Sequence, residues 1–210
     1  MKRVFIIGAT PFGRVLESWL EQSPDCGKKW EIGGFLHSGP QNLGEFPTDY
    51  HVAGDWREFD FTEDDMVLPG IASAVWKEKI FETLAGKVDF FTFIHPAAII
   101  CKFVEIGRGV AIGPHCIVGT HVSIGDCVML NCGTQVGHDS VIGRFVSIMA
   151  NVDLGGFCRV DEGSFMGTNS TLVPHKHIGR NCNISAGAVV MCNVRDGRTM
   201  GGNPAVPLDC

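Results

Sequence analysis

The sequence lacks any Cys-x-x-Cys pair, although nine of its 210 residues are cysteine. An odd cysteine count without paired spacing argues against a disulfide-stapled scaffold or a zinc finger, and reads as a reduced, cytoplasmic protein. A basic patch is missing as well. Lys and Arg number 17 against 23 Asp and Glu, for a net charge of −6, which excludes the usual footprint of a nucleic-acid binder. No apolar run is long enough to insert in a membrane. Met1-Lys2-Arg3 ahead of apolar residues imitates a secretion signal, but Arg14 and Glu17 interrupt the stretch, and Gly8 and Pro11 mark a turn. A complete G-x-G-x-x-G is also absent. Gly8 and Gly13 are in place, Thr10 stands where the middle glycine belongs, and the next apolar strand ends Phe35-Leu36-His37-Ser38 without a carboxylate. Those two departures argue against a dinucleotide redox enzyme.

What is present in abundance is a six-residue period. Seventeen hexads run from Ile94 to Arg195, each led by an apolar residue: Ile94, Ile100, Ile106, Ile112, Val118 and onward to Val190. Four residues after each leader stands a small or β-branched residue, Lys176 being the plain exception. Gly follows the leader in nine of the seventeen, which relieves crowding where the backbone bends. A six-residue period fits neither a 3.6-residue helix nor hairpins; it fits a parallel β-helix in which three hexads make one triangular coil. Residues 18 apart then stack about 4.8 Å from one another. Arg108, Asp126, Arg144, Glu162 and Arg180 alternate in sign at that spacing, a charge ladder that supports the register. Lys176, between His175 and His177, predicts a bulge or loop in that hexad.

Residues 1–92 have no hexads and form a separate domain from 93–210. The pattern predicts strands at Arg3–Ile7, Trp30–Leu36, Asp65–Pro69 and Asp89–Phe93. It predicts helices from the Gly8–Gly13 loop to about Glu21 and over Ser73–Gly86, the latter with Val75, Ile80 and Leu84 inward. Alternation of strand and helix gives a small doubly wound, Rossmann-like α/β unit.

A β-helix core is aliphatic and closed, so chemistry must sit on its outside. His138 is the outward group best suited to act as a base near neutral pH, with Asp139 beside it to orient the ring. The same residues also read as polar corner filling. The 18-residue register sets His121 against Asp139. A metal site from His121, His138 and Asp139 is the lesser reading, His115 is a further corner residue, and His95 before Pro96 reads as structural. Gly8, Thr10 and Gly13, at the mouth of a helix, suit either a phosphate-bearing ligand or a purely structural turn.

Asn131-x-Gly133-x-x-Val136-x-His138-Asp139 within the hexads, with Gly202-Asn203-Pro204-Ala205 closing them, resembles the bacterial sugar O-/N-acyltransferases. These include sialic acid O-acetyltransferases and N-acetyltransferases of UDP-4-amino sugars. The resemblance covers nearly the whole chain and is strongest in residues 94–206. It implies a left-handed parallel β-helix, a homotrimer with active sites between subunits, and acetyl-CoA as donor; no metal is expected, for want of any Cys-x-x-Cys. It implies His138 as general base oriented by Asp139, and Asn131 in binding acceptor or donor. The pantetheine arm would lie near Gly155, Gly156 and Gly167. A sugar-nucleotide acceptor would be held by the N-terminal domain, through Gly8, Thr10 and Gly13 with His37 nearby. Three positions depart from the family pattern: Phe12 lies in a first loop that lacks its histidine, His37-Ser38 replaces two aspartates, and Ser147 replaces a second histidine. Acetyl transfer is thus expected to persist with an altered acceptor. N-acetylation of a nucleotide-linked amino sugar in surface-glycan synthesis leads. Sugar O-acetylation, a non-catalytic trimeric scaffold or binder, and a γ-type carbonic anhydrase are the alternatives.

Overall fold

A computed structural model describes residues 1–39 and 48–208. The chain divides into two compact units, Met1–Pro96 and Ala97–Cys210.

The first unit is a parallel five-stranded sheet of β1 (Lys2–Ile7), β2 (Trp30–Leu36), β3 (Val52–Gly54), β4 (Asp65–Pro69) and β5 (Asp89–Phe90), in the order β3-β2-β1-β4-β5. The central β1 buries Val4, Phe5, Ile6 and Ile7 in succession, as a strand covered on both faces must. Helix α1 (Pro11–Glu21) buries Leu16, Trp19 and Leu20. β3 was not foreseen. Helix α2 (Ala74–Leu84) buries Ile80 and Leu84 as expected, but Val75 is 73% exposed, and the inward stripe is Lys77, Ile80, Phe81 and Leu84. That stripe has the i, i+3, i+4, i+7 spacing of a helical face, but its first member is a lysine, which hides it from a hydrophobic reading. The last strand ends at Phe90 rather than Phe93.

The second unit is a parallel β-solenoid. Two-residue strands recur every six residues from Ile99–Ile100 to Val189–Val190 and stack into three walls. Partners are 18 residues apart, as in Ile117↔Gln135 and Met129↔Ser147. All fourteen leaders from Ile112 to Val190 are buried, while Ile94, in the first unit, is 39% exposed. The fifth residues line the same core. Ser164 there donates to Gly179 O at 2.7 Å and accepts from Cys182 N–H at 2.9 Å, so a buried hydroxyl stitches successive coils without an unmet bond.

The coil bends at the fourth residue of the hexad. Phe103, His121, Cys127, Asp139, Phe145 and Phe157 all have φ between 53° and 62° there. The glycines behind the leaders do another job: a Cβ on Gly125 would stand 2.7 Å from Arg144 N, and one on Gly143 2.6 Å from Glu162 N. They admit the next coil rather than a left-handed φ, which refines the expected reason for them.

The charge ladder is joined where Asp126 lies 3.9 Å from Arg108 and 3.7 Å from Arg144. No bulge occurs at Lys176: His177–Ile178 pairs in register with Arg159–Val160. The break comes one hexad later: Asn183 pairs with Thr199, 16 residues on, so the last hexad is irregular.

Candidate active site

The corner that follows the wall of Ile117–Val118, Gln135–Val136 and Asp153–Leu154 collects the aromatic and histidine side chains. Phe103, His121, Asp139, Phe157 and His175 follow one another at 18-residue intervals, each at the left-handed position of its coil. His138 stands one residue before Asp139 and is exposed.

His138 Nδ1 lies 2.7 Å from Asp139 Oδ2. A carboxylate can only accept, so the Nδ1–H donates and the lone pair is left on Nε2. That nitrogen faces the next coil, where a Cβ built on Gly156 would stand 2.7 Å from it. Glycine at 156 therefore keeps open the space a reacting atom needs. The Gly156 N–H makes no hydrogen bond among the described residues.

The other expected site residues divide. Gly155 is on the same corner, but a Cβ there would meet the Pro174 ring at 2.7 Å, a packing demand. Gly167 and Asn131 belong to a different corner, the one after the wall of Met129–Leu130 and Phe165–Met166. A Cβ on Gly167 would meet Ala186 N at 2.5 Å, and Asn131 Oδ1 accepts from Cys132 N–H at 2.7 Å. Asn131 is thus one wall away from His138, not on its edge. His121 stacks on Phe103 at 5.0 Å with Thr120 Oγ1 3.1 Å from its Nδ1. Among the described residues no hydrogen bond joins it to Asp139. Ser147 is buried, and His95 is buried with its Nε2 3.2 Å from Gln22 Oε1. Among the described residues no three His, Cys, Asp or Glu side chains form a group that could hold a metal ion.

Phe157 was not foreseen. Its ring stacks on His175 at 4.9 Å and 7°, and meets His138 at 5.2 Å and 87°. The signal was available, since 139, 157 and 175 are one column of the 18-residue register.

In the first unit a cavity of about 260 Å³ opens where β1, β2 and β4 end, lined by Gly8, Thr10, His37, Trp56, Ile71 and Trp76 among others. It lies at the carboxyl ends of the strands where the sheet order reverses, the usual place for a ligand in such a sheet. Thr10 caps α1, accepting from Gly13 N–H at 3.0 Å, and donates to Gly70 O at 2.9 Å. Gly13 does not line the cavity; a Cβ there would fall 2.1 Å from Gly8 O, so its role is helix-to-strand packing.

No protein-family model and no curated protein matches the chain. Solved structures match it along its length. The acetyltransferase domain of PglB from Neisseria gonorrhoeae is 25% identical with a TM-score of 0.88, covering 99% of this chain and 100% of that one. The same domain in complex with acetyl coenzyme A gives the same score and identity, with 99% of each chain covered. PerB from Caulobacter crescentus, in complex with CoA and GDP-perosamine, shares the fold at 24% identity and a TM-score of 0.85, over 99% and 98% of the two chains. These neighbours agree with the sugar acyltransferase resemblance of the sequence motifs.

Proposed function

We propose that the chain is an acetyl-CoA-dependent N-acetyltransferase acting on the amino group of a nucleotide-linked sugar, in surface-glycan synthesis. The observation that carries this reading is the His138–Asp139 pair, with Nε2 left free against the bare surface of Gly156. The full-length likeness to an acetyltransferase domain in complex with acetyl coenzyme A supports it.

In this reading the acceptor amine attacks the thioester carbonyl carbon. The C–N bond forms, the C–S bond breaks, and the proton passes from the amine to His138 Nε2 and on to the departing sulfur of CoA. Asp139 holds the imidazole in the tautomer that can accept this proton and steadies the cation that results. The unpartnered Gly156 N–H is the donor suited to the oxyanion of the tetrahedral intermediate.

The solenoid is read as a left-handed β-helix, and the first unit as a small Rossmann-like domain whose cavity takes the nucleotide of the acceptor. His37, at the end of β2, offers an imidazole where a carboxylate would hold ribose hydroxyls. The assembly is read as a homotrimer. Asn131 and His138 occupy different corners of one chain, so one substrate reaches both only if a second copy brings its own corner alongside. Cytoplasmic placement is supported by the eight described cysteines, all free thiols.

The test is CoA release measured with a panel of amino and hydroxy sugar nucleotides. Turnover confined to the amino sugars is the expected result. Turnover only with hydroxy sugars would transfer the assignment to O-acetylation, and none with any acceptor would remove the enzymatic reading.

A further inference from the structure

Three rings succeed one another along the axis of the solenoid: His138, Phe157 and His175, one from each of three successive coils. Phe157 lies parallel to His175, 4.9 Å between centroids. On its other side is the coil of His138. There the imidazole meets it nearly perpendicular, at 87° and 5.2 Å.

The side chain is 52% exposed, so the ring is not held there by the core. It also sits at φ 56°, a conformation that bulky residues seldom adopt. Core burial therefore gives no reason for a phenyl group at this corner. Among the described residues the ring contacts of Phe157 are His138 and His175, and the backbone ties the same coils together: Phe157 N–H donates to His138 O at 2.9 Å, and His175 N–H to Gly156 O at 3.0 Å.

We infer that Phe157 is a positioning residue for His138, a π-face backed by His175 that fixes the tilt of the imidazole and stabilises its protonated form. The inference rests on the reading of His138 as general base. Asp139 restrains the ring at Nδ1 alone, which leaves it free to swing about that contact. The phenyl face supplies a second restraint. An aromatic face also attracts a cation, and His138 becomes a cation only as it takes the acceptor proton. The contact is therefore stronger at the moment of reaction than before it, the condition under which an interaction raises turnover.

Titratable groups on the same corner as the His138 ring include Asp139 on its own coil, His121 on the coil before and His175 beyond Phe157. Of these only Asp139 is hydrogen-bonded to it. Removing the face should thus disfavour the imidazolium while leaving the Asp139 contact intact.

The experiment compares Phe157→Leu with Phe157→Trp in the full chain, measuring kcat, KM for both substrates and the pH dependence of kcat/KM. Leucine is unbranched at Cβ and keeps apolar bulk without a π-face; tryptophan keeps the face. Phe157→Leu is expected to lower kcat about three- to tenfold with both KM values within twofold, and to move the acidic limb of the pH profile to lower pH. Phe157→Trp should restore both. Equal losses in the two variants, or a fall in kcat with the pH profile unmoved, would overturn the inference. Thermal unfolding of both variants separates misfolding from loss of positioning. His138→Ala run in parallel keeps the failures apart: if it retains activity the base assignment fails, whereas normal Phe157→Leu kinetics beside an inactive His138→Ala sinks the positioning role alone.

Discussion

Gly156 and His138 are separated by the absence of one carbon atom: a Cβ on Gly156 would stand 2.7 Å from Nε2 and 2.8 Å from Cε1 of the imidazole. Gly156 has no left-handed φ, so alanine can be accommodated by the backbone, and the side chain that must give way is the histidine. Gly156→Ala should therefore fold normally and lose about a hundredfold in kcat, the scale of a displacement near 1 Å in a catalytic group. Steady-state kinetics with thermal unfolding as control checks it; full activity would mean that Nε2 is not the reacting atom.

Asp139→Asn tests the other nitrogen. Asp139 sits at φ 58°, which asparagine tolerates as well as aspartate, so the corner should persist. The amide can donate to Nδ1 and so favour the tautomer with its proton on Nε2, which cannot accept from the acceptor amine. A kcat loss of roughly 10²–10⁴-fold is expected, with Tm unchanged within a few degrees.

Two buried serines at equivalent hexad positions should behave oppositely. Ser164 both donates and accepts between coils, and Ser164→Ala leaves Gly179 O and Cys182 N–H without that partner, at a cost of about 1–3 kcal/mol. Ser170 Oγ is buried with no hydrogen-bond partner among the described residues. Ser170→Ala should be neutral or stabilising, and urea unfolding of the pair would show the contrast.

Asp161 joins the last regular coils: its carboxylate accepts from Arg159 Nε at 2.6 Å and lies 2.7 Å from His177 Nε2. Burial pushes the carboxyl up, but His177 and Arg159 outweigh it and hold it below the usual carboxylate range. A carboxyl lowered in the folded state contributes stability that is complete above its unfolded value, near 3.9, and is lost as pH falls through the folded one. Asp161→Asn should thus lower Tm at pH 7, with the gap from the wild type closing below about pH 4. A gap that is constant with pH would deny the ionised carboxylate this role.

The solenoid was legible because a period of six admits one architecture, and the leaders that display it are the buried residues themselves. The left-handed corner was not, since Phe, His, Cys, Asp and Asn occupy it more often than Gly, and the coil imposes the conformation on whatever stands there. On α2, Ile80 and Leu84 are inward as their spacing predicts, and only Val75 is not, because Lys77 begins the buried stripe. At the site, His138 and Asp139 were legible as neighbours in sequence, whereas Phe157 and His175 join them only through stacking across 18 residues. Asn131 lies at another corner for the complementary reason: seven residues separate it from His138, slightly more than one hexad, and one hexad moves the chain to the next corner.

The most direct test of the central claim is the turnover of His138→Ala with acetyl-CoA and a nucleotide-linked amino sugar, followed as CoA release. The account predicts a fall in kcat of roughly 10²–10⁴-fold, the scale of a lost general base, with the fold retained. Turnover equal to that of the wild type would contradict it.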